Sequence, residues 1–422
     1  MRSLVFFGRF RPALAGAALW LASGLPAAAQ AQEAPAPEAP APEAAFAACT
    51  RDLAVAAEAQ GIPRSLAEEQ LAPLSPDPEV LAASRRQAEF ETPLWDYLDT
   101  ATKPSRVAAG QAKLKEWEGP LAAIEARYGV DRHVLVAIWG IESGYGAVLD
   151  DPARVRPVIR SLATLACGGG ERVAMWREEL IAALRLLAQG SVPPGAMTGS
   201  WAGAMGHTQF MPTTALRHAV DFDGDGARDI WRSVPDALAS TASYLRSVGW
   251  RPGERWGYEV VLPPGFDLAL ADEVTTRTLP EWQHLGLRPA GPLAFAEAQT
   301  PARLVLPAGA RGPAFLLLPN FDAILRYNTA LAYALAVAHL SDRLRGEPAF
   351  AQDWPRGDRP LTAEERRDLQ SGLAARGFAV GGIDGRVGPR TRAAIRAFQA
   401  AEGLVPDGYP DPALLDRLRP AR

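Results

Sequence analysis

Apolar residues recur at helical spacing through most of the chain. The strongest case runs from Asp131 to Gly146, where Val134, Ile138 and Ile141 form a buried stripe behind Asp131 as helix N-cap. From Arg106 to Tyr128 the stripe Val107, Leu114, Trp117, Leu121 and Ile124 predicts a helix interrupted or reset near Pro120, since a proline ring collides with the carbonyl four residues back. Between Phe46 and Gly346 such patterns alternate with Gly and Pro breaks, which predicts one large, mainly helical body with long loops. Near the end, Thr362 and Glu365 stand at capping-box spacing before Leu369 and Leu373, in a helix ending near Gly377. Ile395 and Phe398, then Leu414, Leu415 and Leu418, mark two more short helices.

Two stretches cannot build a core. Ala34 to Ala44 repeats Ala-Pro and Pro-Glu-Ala units and reads as a solvated tether, and the polar, Pro-rich stretch from Gly346 to Pro360 reads as a second linker. The expected organisation is a leader over 1–31, an Ala/Pro/Glu-rich linker over 32–45, a body over 46–345, a linker over 346–360 and a three-helix module over 361–420. A length of 422 residues suits such a multi-domain chain.

Charge and the N-terminus narrow the setting. The net charge of −4, without a basic stripe, speaks against nucleic acid as a partner. Arg2, Arg9 and Arg11 precede an apolar run that ends in small residues at Ala29-Gln30-Ala31, the pattern of a cleaved signal peptide. The alternative is a membrane anchor, but Pro12, Gly16, Ser23, Gly24 and Pro26 interrupt the run. No later stretch is long and apolar enough to span a bilayer, so the expected location is the periplasm, soluble after signal cleavage. Cys49 and Cys167 are the two cysteines; in an oxidising compartment they form one disulfide, and otherwise they are two buried thiols.

Three segments carry candidate chemistry. Glu142 follows Trp139 and Ile141 at the end of an apolar helix, where desolvation would raise its pKa and keep it protonated as a general acid; the bland alternative is a surface glutamate. Gly199 to Pro212 mixes small residues with Ser200, Trp201, Gln209 and Phe210, which offer close backbone approach, polar groups and flat faces to a sugar; a Gly-rich structural loop is the alternative. Asp221, Asp223, Asp225, the Ala227 carbonyl position and Asp229 follow calcium-loop spacing, with Gly226 at the turn. Arg232 stands where the twelfth-position Glu belongs, so Asp236 is the candidate replacement; an empty acidic turn is the alternative to a structural calcium ion.

Together these segments resemble the lytic murein transglycosylase B family. The resemblance also rests on Phe90, Trp95-Asp-Tyr97, Ala163-Thr-Leu-Ala166, Asp236 to Ala242, Asn320-Phe321 and Arg326-Tyr-Asn328. It implies a mainly α fold, a goose-lysozyme-like catalytic core with additional helical segments, and Glu142 as sole acid and base with no cofactor for catalysis. It carries substrate contacts onto Tyr97, Ser200, Gln209, Tyr244, Tyr327, Asn328 and Tyr333. Ser143 and Met175 depart from the family pattern, where a threonine and a tyrosine are usual. The last module resembles a peptidoglycan-binding domain through Leu369, Gly377, Asp384-Gly385, Thr391, Phe398-Gln399 and Asp407-Gly408.

The implied reaction is cleavage of the MurNAc-(β1,4)-GlcNAc bond of peptidoglycan glycan strands with formation of 1,6-anhydro-MurNAc ends. A hydrolytic muramidase on the same fold and a non-catalytic peptidoglycan-binding scaffold are the competing readings. Other cell-wall enzymes are the protein partners such a role would suggest.

Overall fold

The computed structural model describes residues 42–85, 92–297 and 299–419. The expected leader, most of the first linker and Phe90 lie outside the described residues. The N-terminal layer holds α1 (Pro42–Glu58), α2 (Arg64–Leu71) and α3 (Pro78–Arg85). Because α1 begins at Pro42, the last residues of the expected linker are helical; Phe46, Leu53 and Ala57 give this helix the buried face that the Ala-Pro repeat lacks.

Next come α4 (Leu94–Ala101), α5 (Pro104–Glu116), α6 (Glu118–Tyr128) and α7 (Arg132–Ser143). The predicted interruption falls at Trp117, whose φ of −106° and ψ of 24° leave the helix, and Pro120 then sits harmlessly in the first turn of α6. α7 is buried without a break from Val134 through Gly140. Asp131 caps it by accepting from the His133 N–H at 2.8 Å, and Gly144, at φ 60°, ends it in the left-handed region.

A short antiparallel ribbon of β1 (Arg156–Pro157) and β2 (Thr198–Gly199) brackets α8 (Val158–Cys167) and α9 (Val173–Ala188), which pack on each other. A disulfide joins Cys49 in α1 to Cys167 at the end of α8, with Cα atoms 5.9 Å apart. α10 (Pro212–His218) and α11 (Val234–Ser247) complete this part of the body.

The stretch that follows departs from the expectation of further helices. β3 (Gly257–Val261), β4 (Thr276–Thr278), β5 (Arg288–Pro289), β6 (Pro301–Val305) and β7 (Ala314–Leu317) form an antiparallel sheet in the order β4-β6-β7-β3-β5. α12 (Leu279–His284) seals it with Trp282, whose indole N–H donates to the Ala302 carbonyl at 2.9 Å. The sheet is apolar on both faces. Ala314, Leu316 and Leu318 enter a small core with Tyr258, Val260 and Leu304, while Phe315 and Leu317 enter the main core with α7.

α13 (Pro319–Tyr327) and α14 (Leu331–Arg345) return to the centre, and α14 packs along α7. Beyond α14, the stretch expected to be a linker is a docked strap. Phe350 stacks on His339 with ring centroids 3.7 Å apart, and Trp354 lies against Phe315 and Trp95. Gln352 bonds Glu259 through its backbone at 2.8 Å, and Arg356 pairs with Asp99 at 2.6 Å. Its polar composition concealed two aromatic anchors.

α15 (Ala363–Ala375), α16 (Pro389–Ala401) and α17 (Pro412–Leu418) enclose a separate core of Leu369, Leu373, Ile395, Phe398, Leu414, Leu415 and Leu418, and the Thr362–Glu365 capping box is formed. This module sits against the sheet. Arg392 pairs with Glu273 at 3.0 Å, Arg396 donates to the Ala271 carbonyl at 3.2 Å, and Asp407 accepts from the Ala310 N–H at 2.9 Å. Among the described residues no helix is long and apolar enough to cross a membrane.

Candidate active site

The last turn of α7 presents Glu142 to α14, where the Tyr333 hydroxyl donates to Oε1 at 2.5 Å. Burial pushes the Glu142 carboxyl up to about 7, and the Tyr333 hydrogen bond opposes that rise. No neighbouring carboxylate among the described residues contributes to the shift. A second carboxylate at the spacing of a retaining pair would raise it further through like-charge repulsion. Asp151, one of two acidic residues in the loop beyond the helix, is paired with Arg154 at 3.3 Å. Desolvation thus holds the Glu142 carboxyl near neutrality.

Tyrosines build the wall around it. Tyr327 lies parallel to Tyr333 with ring centroids 6.4 Å apart, and Tyr244 meets Tyr327 edge-on at 5.4 Å. Burial first, and the Glu142 charge second, hold the Tyr327 and Tyr333 phenols well above their ordinary range, so both remain donors. Tyr327 donates to the Thr208 carbonyl, and Tyr244 to the Arg326 carbonyl at 2.6 Å. Tyr97 lies partly buried against the core that holds Tyr333. Asn328, exposed at the end of α13, accepts from the Ala330 N–H at 3.0 Å.

Across from these tyrosines, the Gly199–Pro212 loop is folded tightly on itself. Ser200 Oγ accepts from the N–H groups of Ala202 at 3.3 Å and Ala204 at 3.1 Å, so the hydroxyl shapes the loop. A Cβ at Gly206, where φ is 69°, would approach the Ile230 carbonyl oxygen to 2.3 Å, which accounts for glycine there. Gln209 itself adopts φ 52°, uncommon for a side-chain-bearing residue, and its amide nitrogen donates to the Gly206 carbonyl at 2.9 Å. Phe210 is buried beneath Tyr244 and Tyr327. Tyr145, just past α7, folds back instead, donating to the Arg106 carbonyl at 2.9 Å. Met175 is exposed on α9.

Three residues that sequence reasoning left without a role complete the framework. Trp139 Nε1 donates to His207 Nδ1 at 3.0 Å, and Ser143 Oγ donates to the His207 carbonyl at 2.6 Å. Only the fold brings these side chains together, since 64 residues separate Ser143 from His207.

The acidic loop gathers fewer carboxylates than its spacing suggests. Oxygens of Asp221, Asp223 and buried Asp236 lie within 4.8 Å of one another, a donor set suited to a hard cation. The loop carboxylates also accept backbone N–H groups, Asp221 from Gly224 at 2.7 Å and Gly226 at 2.9 Å, Asp225 from Ala227 at 2.8 Å, and Asp229 from Trp231 and Arg232 at 2.9 Å each. Asp236 also accepts the N–H groups of Phe222 and Asp229, at 2.8 and 2.9 Å, which ties the loop to α11.

Comparisons with known proteins identify the family of the chain. The family model for the transglycosylase SLT domain matches residues 45–342, and that for a putative peptidoglycan binding domain matches 362–418. Membrane-bound lytic murein transglycosylase B of Escherichia coli K12 is 33% identical over 242 residues, which cover 56% of this chain and 63% of the relative. The chain thus matches less than two thirds of that protein's length. SltB3 of Pseudomonas aeruginosa, solved in complex with NAG-anhNAM-pentapeptide, is similar with a TM-score of 0.84 and 49% identity, over 89% of this chain and 99% of that one. The E. coli lytic transglycosylase Slt35, solved in complex with calcium, has a TM-score of 0.59 and 28% identity over 71% and 92% of the two chains.

Proposed function

The chain belongs to the SLT-domain transglycosylase family, and from that premise we propose that it cleaves the MurNAc-(β1,4)-GlcNAc bond of peptidoglycan, leaving 1,6-anhydro-MurNAc ends. The observation that carries this reading is the half-buried carboxyl of Glu142, held near neutrality with a tyrosine as its donor. Protonated Glu142 gives its proton to the glycosidic oxygen, which departs on the N-acetylglucosamine side. After the C1–O bond breaks, the muramyl C6 hydroxyl closes onto the electron-deficient C1 from the face the leaving group vacated, and the Glu142 carboxylate takes that hydroxyl's proton. The enzyme ends as it began and no water is consumed. During the step in which Glu142 is charged, the Tyr333 hydrogen bond stabilises it. That P. aeruginosa SltB3 is solved with an anhydro-muramyl ligand supports this outcome for the present chain.

The family pattern assigns the sugar contacts to Tyr97, Ser200, Gln209, Tyr244, Tyr327, Asn328 and Tyr333. Tyr244 and Tyr327 already donate their hydroxyl protons to backbone carbonyls, so they offer a sugar the ring face and a phenol oxygen as acceptor. Asn328, with an exposed amide, is suited to the N-acetyl group. The Asp221–Asp223–Asp236 cluster holds a structural calcium ion in this reading, supported by its oxygen donors and by the calcium complex of Slt35. Its place is structural, bracing the loop that precedes α11. Export to the periplasm, supported by the N-terminal sequence and the disulfide, puts the enzyme where its substrate is.

Digestion of purified sacculi followed by mass spectrometry of the soluble muropeptides tests the reaction. Anhydro-muramyl ends with the wild type and none with Glu142→Gln are expected. Reducing ends, one water heavier, would make the enzyme a muramidase, and no product from either protein would make it a binding scaffold.

A further inference from the structure

His207 is 8% exposed and belongs to the glycine-rich loop, where it faces Trp139 and Ser143 of α7. An indole N–H can only donate, so its bond to Nδ1 leaves the lone pair on that nitrogen and the ring proton on Nε2. The same residue's carbonyl accepts the Ser143 hydroxyl, and Ser143 Oγ in turn accepts the Gly146 N–H at 3.0 Å. The donors bracket Glu142, with Trp139 one turn before it and Ser143 immediately after. The His207 ring also meets Trp139 edge-on at 5.5 Å, and a Cβ on Gly146 would come within 2.8 Å of His207 Cε1. Glycine at 146 thus leaves the space that the imidazole occupies beside α7. On the other flank, Tyr327 donates to the carbonyl of the next residue, Thr208, and the His207 N–H donates to Ile230 at 3.0 Å.

We propose that His207 is a positioning residue for the acid/base: its ring nitrogen and its carbonyl together lock the last turn of α7, and with it Glu142, to the loop that carries Ser200 and Gln209. Through that lock the carboxyl and the sugar-binding loop keep one fixed spacing during both proton transfers. The inference rests on Glu142 being the acid/base of the proposed reaction. It accounts for three buried polar groups that no other part of that reaction uses. A misplacement of about 1 Å in a reacting group is enough to cost about a hundredfold in rate, so a residue that never touches substrate can control turnover.

The test compares the full chain with His207→Leu, which removes the ring acceptor, and His207→Asn, whose side-chain oxygen can take the Nδ1 place. The assay measures kcat and KM on soluble glycan strands, with the melting temperature alongside. We expect His207→Leu to lose at least about tenfold in kcat with KM little changed, and His207→Asn to recover to within about threefold of the wild type. Equal impairment of the two variants, a loss confined to KM, or a wild-type kcat for His207→Leu would overturn the proposal. If His207→Leu does not fold, Trp139→Phe removes the same hydrogen bond from its other end; a full rate in that folded variant would likewise overturn it. A wild type that yields no anhydro ends would sink the proposed reaction itself, a failure separate from unimpaired positioning variants.

Discussion

Replacing Glu142 by Gln should make the protein more stable at alkaline pH while it abolishes turnover. The carboxyl sits at about 7 in the folded chain against a reference of 4.5, chiefly through burial. Between those values the folded state binds a proton that the unfolded state has released. The contribution of a raised group is therefore present below about 4.5 and is lost as the pH rises through about 7. At about 1.4 kcal/mol per unit, the wild type carries a penalty of roughly 3 kcal/mol once Glu142 is ionised. Glutamine keeps the shape and an oxygen that can accept from Tyr333, yet has no proton to lose. Guanidinium unfolding of both proteins, followed by tryptophan fluorescence, should show the variant's advantage growing by about 2.5 kcal/mol between about pH 5 and about pH 8. An advantage that stays constant across that range would refute the account of Glu142 as a desolvated acid.

Other consequences are equally direct. Tyr333→Phe removes the donor that favours the charged form, so the alkaline limb of the kcat profile should move to higher pH; a pH–rate series in which it moves down would contradict the assignment. Calcium should raise the melting temperature of the wild type relative to chelator, and Asp223→Asn should weaken that response by at least about tenfold in calcium concentration. The Cys49–Cys167 bridge closes a separation of 118 residues, so Cys167→Ser should cost about 2–5 kcal/mol, read as a lower guanidinium midpoint that reductant no longer changes.

What could be read from the sequence was local. Asp131 and Thr362 announce their helices because a cap is a contact between neighbours in the chain, and Glu142 stood out because three apolar turns precede it. The sheet was missed because its strands are short and β7 is apolar on both faces. Phe315 and Leu316 point into different cores, which erases the alternation that marks a strand. The strap was missed for the opposite reason, since its polar majority outweighs Phe350 and Trp354 in any compositional reading. The spacing of Asp225 and Asp229 fits a calcium loop, but the carboxylate oxygens that the fold brings within 4.8 Å of one another are those of Asp221, Asp223 and Asp236. His207 carries no local signal at all, because its partners Trp139 and Ser143 are distant in sequence and meet it only in the folded chain.

The docked strap changes what the C-terminal module can contribute. A free linker of that length would let it wander over a radius of roughly 20 Å, raising the local concentration of wall around the enzyme without favouring any one site. Pinned by Phe350, Trp354 and the Arg392–Glu273 pair, the module instead occupies one place relative to Glu142. Avidity is exchanged for register: under the proposed function, a strand gripped by both parts would be cut at an offset set by the protein's own dimensions.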